Sequence, residues 1–165
     1  MANLMEAMEL QKGSIYKAFG DKHSLFVQAL DRYLNAGYEK MRQALEGSGA
    51  PTDSVKKWLC FVLGVCCDQD TRRGCLAVNA ITELGPHDEQ VAKRLKRHFD
   101  GIERLLANVI EQGQRRGEFR EDMSSAELSE FLNVYVTGML TRSKGPNEKA
   151  RMRRLSDFAM QMLTR

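Results

Sequence analysis

The chain is poor in proline and has no long apolar run. Its only prolines in 165 residues are Pro51, Pro86 and Pro146, and each interrupts a periodic apolar pattern, so they mark boundaries between elements. Charged residues interrupt every apolar segment before it reaches membrane-spanning length. The first ten residues contain no basic residue and no long apolar core, so no signal peptide is visible. These absences predict a soluble, cytoplasmic protein without a membrane partner.

Metal-ligand spacings are absent as well. The four cysteines form no C-x-x-C pair and the three histidines are scattered, so neither a metal nor a cofactor is expected. We interpret the cysteines as buried thiols that act as small hydrophobic groups, with redox sensing as the alternative. The residues concerned are Cys60, Cys66, Cys67, Cys75, His23, His87 and His98.

An enzyme is not expected, because no Ser-His-Asp triad or paired-carboxylate spacing stands out. Glu83, His87 and Asp88 lie close together, but they fall at a helix end and its turn, where capping explains them.

The net charge of +3 is too small to indicate nucleic-acid binding by itself. Its distribution is more informative. Near the N-terminus, residues 12–22 contain three lysines, Lys12, Lys17 and Lys22, and one acidic residue, Asp21. A second basic cluster, residues 142–165, is interpreted as a solvated helix face.

Apolar residues recur at helical spacing almost throughout and no segment alternates as a strand would, so the fold is predicted to be all-α. The expected helices start at Asp21, at Thr52 or Asp53, near Leu76, at Asp88, at Ser124 or Ser125, and before Met152. They end near Glu46, "DQDTRRG", "GPHD", "GQRRGEF" and "SKGPN", which are turn-forming sequences.

The stretch "KGSIYKAFGDK", from Lys12 to Lys22, fits the second helix of a helix-turn-helix unit. Such a helix is short and carries small or polar groups that approach the DNA backbone closely. Its outward residues are expected to contact DNA, whereas Ile15 and Phe19 share an inward face. The candidate DNA-binding residues are Lys12, Gly13, Ser14, Tyr16, Lys17 and Lys22. On spacing alone, an ordinary amphipathic helix end remains an equal alternative.

This stretch resembles the recognition-helix signature of the TetR family of bacterial transcriptional regulators. "RGCLAVNAITELGPHDEQV" and "EQGQRRGEF" are similar to segments of the C-terminal body in one branch of that family. The resemblance implies a head at residues 1–24 and a helical effector-binding and dimerisation body at residues 25–165. It also implies a repressor that binds operator DNA and is released by a small-molecule effector.

Family members have a full helix before the helix-turn-helix pair, whereas only "MANLMEAMELQ" precedes the recognition helix here. We therefore expect the head to be incomplete and this chain to bind operator DNA weakly or not at all. The alternative function is a dimeric small-molecule-binding module whose truncated head no longer binds operator DNA.

The effector is expected to be apolar or aromatic and to bind between helices of the body. The candidate lining residues, each of which could equally be plain core, are Trp58, Phe61, Cys66, Phe99, Asn133 and Tyr135. A homodimer is expected through the last two helices, residues 126–142 and 148–163. The last helix carries an unusually wide apolar stripe of Met152, Leu155, Phe158, Ala159 and Met162. The alternative is that these residues only close the core of the monomer and form no dimer contact.

Overall fold

The structure, a computed structural model, describes residues 5–7, 9, 11–47, 49–67, 74–145 and 149–164. These residues form helices joined by turns and include no strand, which confirms the predicted all-α fold. Residues 5–7 are helical. The longer helices that follow are α1 (Lys12–Phe19), α2 (Lys22–Leu45), α3 (Pro51–Cys67), α4 (Leu76–Glu83), α5 (Glu89–Arg115), α6 (Ser125–Arg142) and α7 (Lys149–Thr164).

Short polar side chains begin three of these helices, where the first backbone N–H groups have no partner inside the helix. At α2, the Asp21 carboxylate accepts a hydrogen bond from the Ser24 N–H at 2.7 Å. At α5, Asp88 accepts one from the Val91 N–H at 3.0 Å. At α6, Ser124 and Glu127 form a reciprocal capping box. The caps predicted at Asp21, Asp88 and Ser124 are confirmed.

The cap of α3 comes from a distant loop. The Glu118 carboxylate accepts hydrogen bonds from both the N–H and the hydroxyl of Thr52, at 2.9 and 2.7 Å. These bonds favour the ionised carboxylate, so they hold the pKa of Glu118 below its ordinary value. The contact ties the loop after α5 to the start of α3.

A Glu118→Gln variant is expected to melt below the wild type at neutral pH. Because the pKa is lower in the folded state, the stabilisation is present above the ordinary glutamate pKa and is lost as the pH falls through the folded pKa. The melting-temperature difference should therefore shrink as the pH is lowered below about 4.5. Thermal melts of both proteins at a series of pH values test this, and a difference that stays constant down to pH 3 would contradict the assignment.

Two hydrophobic cores hold the body together. The larger lies among the C-terminal end of α2, which contributes Met41 and Leu45, and helices α3, α5, α6 and α7. It includes Leu106, Leu132 and Met152, all fully buried. The second joins the N-terminal half of α2 to α4 and to the start of α5, with Leu30 and Leu95 at its centre. Because α2 contributes to both cores, it connects the N-terminal helix-turn-helix segment with the body.

Candidate functional site

The first candidate surface is formed by α1 and the start of α2. Gly13, Ser14, Lys17 and Lys22 are exposed, and so is Tyr16. The side chain of Lys12 lies outside the described residues.

The opposite face of α1 holds it to the rest of the protein. Ile15 is buried and Phe19 is half-buried, as the helical spacing predicts. Gly20, at φ 83°, then adopts a left-handed conformation that favours glycine and turns the chain into α2. Five of the six predicted DNA-contacting residues are therefore exposed, and two of them, Lys17 and Lys22, are basic.

The electrostatics at the start of α2 restrict how this surface can hold a phosphate. The Asp21 carboxylate already accepts from the Ser24 N–H, and this bond keeps the pKa of Asp21 below its ordinary value. Backbone N–H groups at a helix start can hold a phosphate together with a nearby lysine such as Lys22. Because the Ser24 N–H is occupied, a phosphate held at this helix start would depend mainly on the Lys22 ammonium.

The second candidate site is a cavity of about 70 Å³ inside the body. Side chains from five helices, α2 to α6, form its wall. They are Tyr33, Gly37, Met41, Trp58, Phe61, Val62, Val65, Cys75, Ala77, Val78, His98, Phe99, Ile102, Asn133, Val136, Thr137 and Leu140. The wall is mostly apolar, with a few polar groups, as is usual for a small-molecule site.

The two strongly perturbed titratable groups of the wall are uncharged at neutral pH. Burial lowers the pKa of His98 to about 4, so its imidazole is neutral. Burial also raises the pKa of Tyr33 to about 12, with Cys75 nearby adding to the shift. The Tyr33 hydroxyl donates to Cys75 Sγ at 3.6 Å and accepts from the Leu76 N–H at 3.3 Å.

Two further polar groups of the wall differ in whether they have partners. The Asn133 amide donates to Glu103 Oε1 at 2.8 Å. Trp58 is 1% exposed, and its indole Nε1–H has no hydrogen-bond acceptor among the described residues. A buried donor without an acceptor is rare in folded proteins, so the indole marks a place where a binding partner would be favourable.

Four of the six predicted lining residues, Trp58, Phe61, Phe99 and Asn133, lie in the cavity wall. Cys66 and Tyr135 do not. Cys66 is buried on α3, where burial raises the pKa of its thiol to about 11. Tyr135 lies on the side of α6 near α7: its hydroxyl donates to the Leu155 carbonyl at 3.0 Å and its ring stacks on Phe131.

The sequence did not indicate that α2 and the start of α4 contribute to the wall. Their wall residues are Tyr33, Gly37 and Met41 of α2, Cys75 just before α4, and Ala77 and Val78 of α4. On the helices that were predicted to form the site, it did not single out Val62, Val65, Ile102, Val136, Thr137 and Leu140. It also missed His98, which precedes the predicted Phe99. The signal for the contribution of α2 is its apolar spacing, which does not by itself say whether a helix face borders a cavity.

The cysteines are not all buried thiols, which corrects the expectation. Cys66 is buried, but Cys60 is exposed, and Cys67 and Cys75 are half-buried. Cys60 is exposed because it lies outside the face of α3 that carries the buried Trp58 and Leu59. All four are free thiols.

Large apolar side chains are also exposed on both α6 and α7. Phe131 is 40% exposed, Val134 66% and Phe158 49%. The predicted stripe of the last helix is divided: Met152 and Ala159 are buried in the protomer's own core, whereas Phe158 is exposed. Large apolar groups exposed on neighbouring helices are typical of a protein–protein contact.

Within the described ranges, no group of histidine, cysteine or acidic side chains is placed to hold a metal ion. Among the same residues, no helix is both long and apolar enough to cross a membrane.

Comparison with known proteins identifies the family. The model of the tetracyclin repressor-like C-terminal domain matches residues 53–158, which is more than half of the chain. The chain therefore belongs to the TetR family of transcriptional regulators, which are DNA-binding proteins rather than enzymes.

Curated relatives agree with this class. The HTH-type transcriptional repressor ComR of Escherichia coli is 29% identical over 160 residues, which span 96% of this chain and 75% of that protein. The HTH-type transcriptional repressor DhaR of a Mycobacterium species is 27% identical, over 86% of this chain and 70% of that protein. These relatives support a DNA-binding repressor.

Solved structures agree on the fold. A cysteine mutant of the TetR family regulator CifR, in complex with 26-base-pair operator DNA, has a TM-score of 0.83 at 28% identity, over 98% of this chain and 84% of that one. The reduced form of Escherichia coli NemR has a TM-score of 0.86 at 20% identity, over 99% of this chain and 85% of that one. The second likeness concerns the fold alone.

Proposed function

We propose that this protein, when a further helix before α1 completes its head, is a dimeric repressor that reads operator DNA with α1 and releases it when a small, uncharged ligand fills the body cavity. The observation that carries the proposal is the course of α2. This helix of 24 residues is roughly 36 Å long, begins beside the DNA-facing surface and lines the cavity farther along. A ligand that moves the part of α2 lining the cavity can therefore also move the head.

A second physical connection runs through α4. Cys75, Ala77 and Val78 lie in the cavity wall, and Ala77 also belongs to the core that packs against Leu30 of α2. A ligand that displaces α4 changes this packing. Effector and operator are then coupled, provided that the ligand prefers one arrangement of α2 and α4 over the other.

Polar contacts fix the same part of α2 to α5. His23 Nε2 lies 2.7 Å from Asp88 Oδ2, and Arg94 contacts both oxygens of Asp31 at 3.0 and 3.1 Å. These contacts make the N-terminal half of α2 follow the start of α5. Because α5 supplies His98, Phe99 and Ile102 to the cavity wall, the cavity and the head are joined through this helix as well.

A homodimer supports DNA reading, because two heads on one rigid body match two operator half-sites. We assign the interface to the exposed apolar surface of Phe131, Val134 and Phe158 on α6 and α7. In a dimer these side chains would be buried against the partner subunit and would no longer contact water.

The DNA-binding surface can be tested with a matched pair of lysines. Lys22→Ala is expected to weaken binding to a selected operator duplex severalfold and to reduce the salt dependence of binding, since it removes a phosphate contact without changing base readout. Lys40→Ala, also exposed on α2 but near its other end, is the control and should leave the affinity unchanged.

The measurement is fluorescence anisotropy of a labelled duplex, selected from a random pool by the protein with a completed head, at several fixed salt concentrations. Equal affinities for the two variants would remove Lys22 from the DNA surface. Ligand binding by a wild-type protein that selects no DNA sequence at all would instead support a binding module without operator recognition.

A further inference from the structure

We propose that the effector is a compact, uncharged and largely apolar molecule with one hydrogen-bond acceptor, such as a ketone oxygen, that accepts a hydrogen bond from Trp58 Nε1. This rests on the proposed function, since it assigns the chemistry of the ligand to the same cavity. It goes further by naming the residue that discriminates between ligands.

The acceptor follows from the state of Trp58. Its side chain lines the cavity and is 1% exposed, so its N–H is shielded from bulk water, and it finds no acceptor among the described residues. An indole nitrogen is a donor only, so no rearrangement of protons can satisfy it. The nitrogen itself has almost no accessible surface, so a ligand acceptor forms the missing hydrogen bond only when the ligand displaces the wall around Trp58.

The absence of charge follows from the rest of the wall. The described residues that line the cavity include no Asp, Glu, Lys or Arg, and His98 is neutral at physiological pH. An ionised ligand would lose its hydration without meeting an opposite charge, which is strongly unfavourable. The Tyr33 hydroxyl and the Asn133 amide of the wall are uncharged groups that hydrogen-bond within the protein, so neither can neutralise the charge of such a ligand.

The size follows from the cavity volume. About 70 Å³ is roughly half of the ~150 Å³ apolar cavity that accommodates benzene with its six non-hydrogen atoms, so only a molecule of about three non-hydrogen atoms fits without movement of the wall. A larger effector must push the wall outward. This movement displaces α2 and α4, the helices that we propose connect the cavity with the head.

Three probes of one size test this chemistry: cyclohexanone, methylcyclohexane and the cyclohexylammonium ion. Trp58→Phe is expected to raise the Kd of cyclohexanone about tenfold, while that of methylcyclohexane changes by less than about twofold, because only the ketone loses a hydrogen bond. The cyclohexylammonium ion should not bind measurably. Phe61→Leu alters the apolar wall but no donor, so it should affect both neutral probes alike.

A second measurement uses the wild type, so its result does not depend on whether a variant folds. Trp58 is the only tryptophan of the chain, so the wild type gives one indole N–H signal in a nitrogen-15 correlation spectrum. Cyclohexanone is expected to move the proton of this signal downfield, as a new hydrogen bond does, and methylcyclohexane is not.

The possible failures can be distinguished. An indole signal that does not respond to bound cyclohexanone, equal effects of Trp58→Phe on both neutral probes, or tight binding of the ammonium ion would overturn the proposed chemistry and leave the cavity as the effector site. If neither neutral probe bound, both the proposed chemistry and the assignment of the cavity as a ligand site would fall.

Discussion

Changing Val134 and Phe158 together to aspartate is expected to give a monomer and to weaken operator binding by about 100-fold or more. These side chains are 66% and 49% exposed, so a charge on each costs the isolated protomer little. In the proposed interface the same charges would be buried without partners, which is strongly unfavourable. Loss of the second head removes the gain in affinity that two linked sites provide.

Sedimentation velocity measures the assembly state of this variant and anisotropy measures its operator affinity. The control is Ala29→Asp combined with Ala36→Asp, which adds the same charge at two exposed positions of α2. The control should sediment as the wild type does. If the Val134 and Phe158 variant remained a dimer at micromolar concentration, the interface would have to lie elsewhere on the protein.

Replacing Gly113 by alanine is expected to destabilise the protein by about 2 kcal/mol or more, although alanine favours helices. Gly113 is buried near the end of α5, and a Cβ atom there would overlap the ring of Phe119, which is also buried. The ring cannot move aside without leaving the core. This close approach of the following loop explains why α5 carries a glycine at that position.

The same substitution at Gly64 is the matched control. Gly64 is exposed inside α3, and among the described residues no atom outside its own stretch of helix lies within 4 Å of the position that an alanine Cβ would occupy. Alanine should therefore stabilise this helix by up to about 1 kcal/mol. Urea denaturation at a fixed protein concentration measures both effects. Combining Gly113→Ala with Phe119→Leu should restore part of the lost stability, and equal effects at Gly113 and Gly64 would refute the steric explanation.

The helix boundaries could be predicted from the sequence because the interactions that set them are local. Asp21 and Asp88 each cap a backbone N–H three residues away, and Ser124 does the same for Glu127. The cap of α3 could not be predicted in this way. Glu118 is 66 residues from Thr52, and only the folded chain brings the two together.

The cavity could be predicted only in part, for a related reason. Periodicity identifies the apolar face of a helix, but it does not say whether a neighbouring side chain or an empty space lies beyond each residue. Trp58 and Cys66 are both buried on α3, yet only Trp58 borders the cavity. Whether the Trp58 N–H finds an acceptor depends on every group around it, so no sequence pattern reports it.

The central claim is that the cavity and the DNA-reading head share one conformational equilibrium through α2. Linkage requires that a ligand which weakens operator binding must itself bind more weakly to the operator-bound protein, by the same factor. The most direct measurement is calorimetric titration of one cavity ligand into the free protein and into its complex with a saturating operator duplex. We expect a lower ligand affinity in the complex, matching the loss of operator affinity measured by anisotropy. Equal ligand affinities for the free and DNA-bound protein would contradict the account.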